Sequence, residues 1–238
     1  MKPCRLLSLI SPVAALALTG CASLPPLPGS ASPAPAVAFV PRAGTFEFEE
    51  DALGAPPAGF TIGSTNAGTA RETWEVLQGP DVPSQTHVVA ITNPGHTEQG
   101  GYNLLWTDQA GFRDGEIQVD VRARGGSVDQ GGGPIWRVQD ADNYYICRWN
   151  PLERNFRLYV VENGERRMLA TAQADLSTDV WRRISVRHAG DEITCTLSGT
   201  VTISATDATI PHAGGIGLWT KADAATAFDG LTVTPIGG

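Results

Sequence analysis

The sequence predicts an all-β domain, a two-sheet antiparallel sandwich of the jelly-roll kind, and three observations lead there. About a dozen short segments alternate apolar and polar residues with period two, so each buries one face and wets the other. Turn residues separate these segments at short intervals, and helical spacing is hard to find. The crossover helices that a parallel sheet needs have no place between them.

The chain begins with a processing segment. Lys2 and Arg5 precede an apolar run from Leu6 to Leu18, too short to span a bilayer, which closes on Leu18-Thr19-Gly20-Cys21. These residues resemble a bacterial lipobox. Residues 1–20 therefore read as a lipoprotein signal peptide, with Cys21 lipidated as the mature N-terminus. Ala22 rather than aspartate in the next position resembles the pattern sorted to the outer membrane. The expected location is the bacterial cell envelope, lipid-anchored and facing the periplasm or the surface.

Removal of Lys2 and Arg5 takes the formal net charge from -8 to -10. Such a balance repels phosphate backbones and anionic head groups, which argues against nucleic acid and leaves the lipid as the sole membrane contact. Residues 21–42 hold the lipidated cysteine and a tether rich in proline and alanine, with too little apolar side chain to offset its ordering entropy. The jelly-roll domain is expected over residues 43–238.

Phe46 and Phe48 alternate with glutamates in the first strand of that domain. Short pieces follow at Phe60–Gly63, Thr73–Leu77 and His87–Ile91, broken by Pro56, Pro57, Pro80, Pro83 and Pro94, so they read as edges or loops. Tyr102–Trp106 comes next, then a strand in which Ile117, Val119 and Val121 alternate with Glu116, Gln118, Asp120 and Arg122. Glu116 and Asp120 read as a solvated edge. Beyond the hairpin of residues 131–150 lie Asn155–Glu162, Arg166–Ala172, Trp181–His188, Glu192–Leu197, Val201–Ala205, Gly215–Lys221 and Ala227–Thr234. Asn163-Gly164 is the strongest hairpin signal, because a type I′ turn needs positive φ at both central residues. An oxidising compartment permits a disulfide between Cys147 and Cys195, whereas their apolar alternate positions suit free thiols that pack as small hydrophobes.

Gly131–Asn150 (GGGPIWRVQDADNYYICRWN) reads as two strands over an acidic turn at Asp140–Asn143. With Gln139 opposite Tyr144, one face carries Ile135, Arg137, Gln139, Tyr144, Ile146, Arg148 and Asn150. The other carries Trp136, Val138, Tyr145, Cys147 and Trp149, and is core. On the strand Gly215–Asp223, Trp219, Lys221 and Asp223 share a side. Together, Arg137, Gln139, Tyr144, Arg148, Asn150, Trp219, Lys221 and Asp223 form a candidate ligand-binding face. Aromatic rings stack on sugar C–H faces, and planar guanidinium and amide groups reach hydroxyls or carboxylates. The same residues also suit ion pairs and core packing.

Catalytic and metal motifs are thin. Asp140, Asp142 and Glu153 are the carboxylates available as acid and base beside Asp223. Asp140-Ala-Asp142-Asn143 has the carboxylate density of a calcium loop but lacks the glycine and distal glutamate of an EF-hand. Aspartates in turns also hydrogen-bond their own backbone. Four scattered histidines offer no zinc spacing. No metal and no cofactor is assigned, calcium being the one candidate ion.

Gly133-Pro-Ile-Trp-Arg-Val-Gln-Asp-Ala-Asp-Asn-Tyr-Tyr145, then Arg148, Asn150, Leu152-Glu153, Val161-Glu-Asn-Gly-Glu-Arg166, Trp181 and Gly217-Leu-Trp-Thr-Lys-Ala-Asp223, resemble a known group. They are similar to the bacterial exported laminin-G-like, concanavalin-A-like jelly-roll proteins, related to the domain-of-unknown-function group labelled 3-keto-disaccharide hydrolase. The resemblance implies a two-sheet jelly roll whose concave face often meets carbohydrate, with some relatives binding calcium and some hydrolysing glycosides. The Glu-x-Asp-x-x-Glu strand of laminarinase-type jelly rolls is missing.

Three functions follow as expectations. The first is a lipid-anchored glycan-binding module, an acidic glycan among the candidates. The second is a glycoside or 3-keto-disaccharide hydrolase using carboxylates near the polar face. The third is an envelope scaffold that docks a protein partner.

Overall fold

A computed structural model describes residues 39–66, 72–79, 81–95 and 101–237. The expected signal peptide, Cys21 and the expected tether up to residue 38 lie outside the described residues.

Fifteen strands follow in chain order. They are β1 (Gly44–Phe46), β2 (Thr61–Thr65), β3 (Thr73–Gln78), β4 (His87–Asn93), β5 (Tyr102–Phe112), β6 (Gly115–Gly125), β7 (Gly133–Asp140) and β8 (Asn143–Asn150). The rest are β9 (Asn155–Glu162), β10 (Glu165–Gln173), β11 (Arg182–Ala189), β12 (Glu192–Leu197), β13 (Val201–Thr206), β14 (Gly214–Lys221) and β15 (Ala225–Pro235). The front sheet runs β10-β9-β8-β7-β14-β5-β2; the back sheet runs β13-β12-β11-β6-β15-β4-β3, with β1 also on β15. Every pairing between these strands is antiparallel, so the expected two-sheet sandwich is what forms.

Between the sheets lies the main core. The front sheet contributes Leu105, Trp136, Tyr145, Cys147, Trp149, Phe156, Leu158, Ile216 and Leu218; the back sheet contributes Val119, Val121, Ile184, Val186, Cys195 and Phe228, among others. Cys147 and Cys195 are each free and buried. Asn163 and Gly164 turn β9 into β10 with φ of 51° and 78°, the two positive values that the sequence signalled. Of the proline-broken early pieces, β2 and β3 are edges as expected, but β4 is internal, between β15 and β3.

Two sequence expectations fail for identifiable reasons. Asp120 is not on a solvated edge: β6 is central, and Asp120 is buried opposite Asp229 and held by Arg183 at 3.0 and 2.6 Å. The second concerns β7. Asp140 pairs with Asn143, yet Trp136 pairs with Tyr145 and Ile135 with Ile146, so β7 has two residues more than β8 between those pairings. Arg137, at φ 48°, sits inside this irregularity. The excess breaks the alternation, a common use of a bulge. Val138 consequently packs with Ile135, Tyr144 and Ile146 on the outer face rather than with Trp136 in the core.

Candidate functional site

The outer face of the front sheet has an apolar part and a polar part. Leu104, Ile135, Val138, Tyr144, Ile146, Tyr159, Val161 and Trp219 form the apolar part, with Tyr102 and Trp106 half-buried against it. Toward the ends of β8 and β14 nearest the β8–β9 connection, the same face becomes polar. Register places Arg148 opposite Arg157 and Asn150 opposite Asn155 across β8 and β9, next to Tyr159.

The loop between β6 and β7 brings Asp129 to this polar part. Asp223 accepts the backbone N–H groups of Ser127, Val128 and Asp129 at 2.6, 2.9 and 2.9 Å, and the Ser127 hydroxyl at 2.7 Å. Burial would raise the Asp223 carboxyl, but these donors hold it down at about 2. Gly133 then lets β7 start against β8, since a Cβ there would stand 1.9 Å from the Cys147 carbonyl oxygen.

A continuous polar network results. Asn150 donates to Asp129 Oδ1 at 2.7 Å and accepts the Glu153 N–H at 2.9 Å. Lys221 meets Asp129 at 3.0 Å. Glu153 accepts from Arg148 Nη2 at 2.9 Å, Arg157 Nη1 at 3.0 Å and Asn155 Nδ2 at 3.0 Å. Asp129 and Arg148 are each 1% exposed, whereas the Glu153 side chain is 36% exposed and forms part of the rim.

The two carboxyls diverge. Burial pushes Asp129 up, against the charges of Arg148 and Lys221. Burial also opposes ionisation of Glu153, but hydrogen bonds from Asn155 and Arg148 and the charges of Arg148 and Arg157 hold it at about 2. Several buried polar atoms here have no hydrogen-bond partner: Arg148 Nε and Nη1, Asn155 Oδ1 and Arg166 Nη1. Arg166, from edge strand β10, lies over the rings of Tyr159, Tyr102 and Trp219 at 4.4, 4.9 and 5.8 Å. Such stacking orders a guanidinium whose N–H edge remains available for a ligand.

The structure divides the expected face. Arg148, Asn150 and Lys221 do converge in the network. Tyr144 and Trp219 lie on the same face but are fully buried, with Trp219 Nε1 donating to Tyr144 Oη at 3.1 Å and Thr65 sharing a 2.7 Å hydrogen bond with that hydroxyl. Neither ring is a free stacking platform; Trp219 is covered by Tyr102 at 5.3 Å and by Arg166. Asp223 binds the Ser127–Asp129 backbone instead of joining the side-chain network.

Arg137 is elsewhere. The β7 irregularity sends its buried guanidinium to the carbonyl oxygens of Arg113, Ile210 and Gly190 at 2.7, 2.7 and 2.9 Å, tying three connections together. Gln139 is exposed and donates to the carbonyls of Arg137 and Ala213. Both belong to the end of the sandwich that also holds His188. Its Nδ1 accepts from Trp136 Nε1 at 3.0 Å, and burial with the nearby Arg137 charge pulls its pKa to about 3.

Asp140 and Asp142 are turn residues. Asp140 accepts from the Asp142 N–H and from Asn143 Nδ2, and Asp142 accepts the Asn66 N–H. At about 3.3 Å per residue, β8 separates that turn from the connection carrying Glu153 by roughly 23 Å. They cannot pair with Glu153 as acid and base, which needs about 5 to 10 Å. Among the described residues no group of three or more His, Cys, Asp or Glu is placed to share a metal ion.

Asp129, Asn155, Arg157, Tyr159 and Arg166 were absent from the sequence-derived face. Asn155, Arg157 and Tyr159 alternate in β9, a signal that could have found them. Asp129 lies in an irregular glycine-rich loop that carries no period.

No protein-family model matches the chain, and no curated protein does. Solved structures do. The carbohydrate binding module CBM66 from Bacillus subtilis shares 19% identity at a TM-score of 0.56, over 74% of this chain and 94% of that one. Domain 4 of AbnA, a GH43 extracellular arabinanase from Geobacillus stearothermophilus, seen with arabinotriose, matches at 0.52 with 11% identity, over 79% and 89%. The VIP36 exoplasmic/lumenal domain, in its Ca2+/Man3GlcNAc-bound form, matches at 0.51 with 16% identity, over 78% and 89%. At these identities the likeness is one of fold, and it agrees with the jelly roll read from the sequence.

Proposed function

We propose that the protein is a glycan-binding module whose site is the polar network of Asp129, Arg148, Asn150, Glu153, Asn155, Arg157 and Lys221, rimmed by Tyr102 and Arg166. The observation that carries this reading is the buried Arg148 guanidinium, held by Glu153 while Nε and Nη1 have no hydrogen-bond partner. Leaving such donors unmet costs about 1–3 kcal/mol. A hydroxylated ligand would supply the missing acceptors. That the matched folds include a carbohydrate binding module and an arabinotriose complex supports the same reading. The test is a glycan array with wild-type protein and folded Arg148→Gln: binding reduced at least about tenfold by the substitution is expected. Failure of the wild type to bind any glycan refutes the proposal.

The proposed setting is the bacterial cell envelope, with the chain anchored through lipid on Cys21. Cys21→Ser should release the protein from the membrane fraction; retention there would exclude this anchor.

A hydrolytic reading is favoured by one observation, two carboxyl residues joined through Asn150 in one network, with burial pushing Asp129 up and hydrogen bonds holding Glu153 down. That split is what a general acid and its partner carboxylate require. Turnover of glycosides or 3-keto-disaccharides that disappears in Asp129→Asn while binding persists would establish it. No turnover by the wild type removes it.

A further inference from the structure

The unmet atoms of the polar network narrow what it can bind, given the glycan reading above. Asn155 Nδ2 donates to Glu153 Oε2 at 3.0 Å, which fixes the amide so that Oδ1 is the buried, unpartnered acceptor. Flipping the amide would set that oxygen against the Glu153 carboxylate. Arg148 Nε and Nη1 are unpartnered donors. The ligand must therefore donate one hydrogen bond and accept others, within one small network.

Charge adds a second constraint. Arg148 and Lys221 meet the two carboxylates of the network, at 2.9 Å for Arg148–Glu153 and 3.0 Å for Lys221–Asp129, while Arg157, also on Glu153 at 3.0 Å, and Arg166 add positive charge at the rim. A carboxylate or sulfate entering this floor would satisfy Arg148 but offer nothing to Asn155, and would be desolvated against two carboxylates. Hydroxyls on neighbouring carbons both donate and accept and carry no charge. The partly buried ring of Tyr102, which pairs with Lys221 across β5 and β14, offers an apolar edge to ring C–H groups.

We infer that this network takes an uncharged sugar unit through a pair of adjacent hydroxyls, and does not select the acidic glycan that the cationic face suggests. The intact protein is titrated with dextran, mannan and arabinan, with the same polymers after periodate cleavage of their vicinal diols, and with polygalacturonate and dextran sulfate. Binding to an uncharged polymer is expected, lost at least about tenfold on periodate treatment and changed less than about twofold between about 0.05 and 0.5 M salt. Arg148→Lys keeps the charge but not the planar fork, so it should weaken binding about tenfold or more. Folded Asn155→Ala should do the same.

Binding confined to the two anionic polymers, falling steeply with salt and kept by Arg148→Lys, would overturn the inference while leaving a glycan site in place. Binding that survives periodate would overturn the role of adjacent hydroxyls. Failure of all of these polymers, together with an empty glycan array, would refute the glycan reading on which the inference rests.

Discussion

Replacing Arg137 with methionine separates a structural role from a ligand-binding one. In the folded protein its guanidinium is fully buried and donates to three main-chain carbonyls, those of Arg113 after β5, Gly190 between β11 and β12, and Ile210 before β14. A hydrogen bond to a charged group contributes about 1.5–3 kcal/mol, so the three together have a gross value of about 5–9 kcal/mol. Removing the arginine also removes its own burial cost, visible in the downward pull of burial on its pKa. The net loss should be about 3–5 kcal/mol, within the range measured for broken buried ionic networks. Urea unfolding followed by fluorescence would read this as a midpoint lower by about 1–2 M at a slope of about 2–3 kcal/mol/M. Glycan affinity measured below the transition should stay within about twofold, because Arg137 is not in the polar network. A loss under about 1 kcal/mol, or a binding defect in protein that is still folded, would refute the reasoning.

His188 makes stability depend on pH in a defined window. Its folded pKa of about 3 lies below the ordinary 6.5, so as pH falls below 6.5 the unfolded chain takes up a proton that the folded chain refuses. Stability should drop by up to about 1.4 kcal/mol per pH unit between about 6.5 and 4.5 relative to His188→Gln, which cannot titrate. Parallel stability curves for the two proteins would exclude the effect. Asp223 is a positioning residue for Asp129: Asp223→Asn should weaken glycan binding about tenfold, and binding lost by Asp129→Ala should not fall further in the double variant. Additive losses would show that the two act separately.

The sandwich was legible because period-two alternation survives in nearly every strand, and Asn163-Gly164 named its own turn. Face assignment succeeded for β8 and β14, whose alternation is unbroken through Arg148 and Trp219. It failed at β7, where two extra residues reverse the sides of Arg137 and Val138. Nothing in Trp-Arg-Val-Gln marks that irregularity, because the arginine at positive φ is set by three distant carbonyls. Trp219 was placed on the right face, but what covers it comes from Tyr102 and Arg166, far away in sequence. The 131–150 hairpin itself implied that its acidic turn and Glu153 lie at opposite ends of β8, since the turn precedes that strand and Glu153 follows it. Asp129 was illegible for another reason: a loop built on glycines has no pattern that tells a buried carboxylate from a solvated one.

Arg166 has an evolutionary consequence. It reaches the rings beside the polar network from β10, an edge strand joined to β9 by a two-residue turn, whereas Arg148 and Asn150 sit on an inner strand locked on both sides. Changes in the edge hairpin can thus re-tailor the entrance without disturbing the floor. Selection for a new sugar would find its cheapest mutations there, and relatives with different preferences should diverge first around residues 162–168.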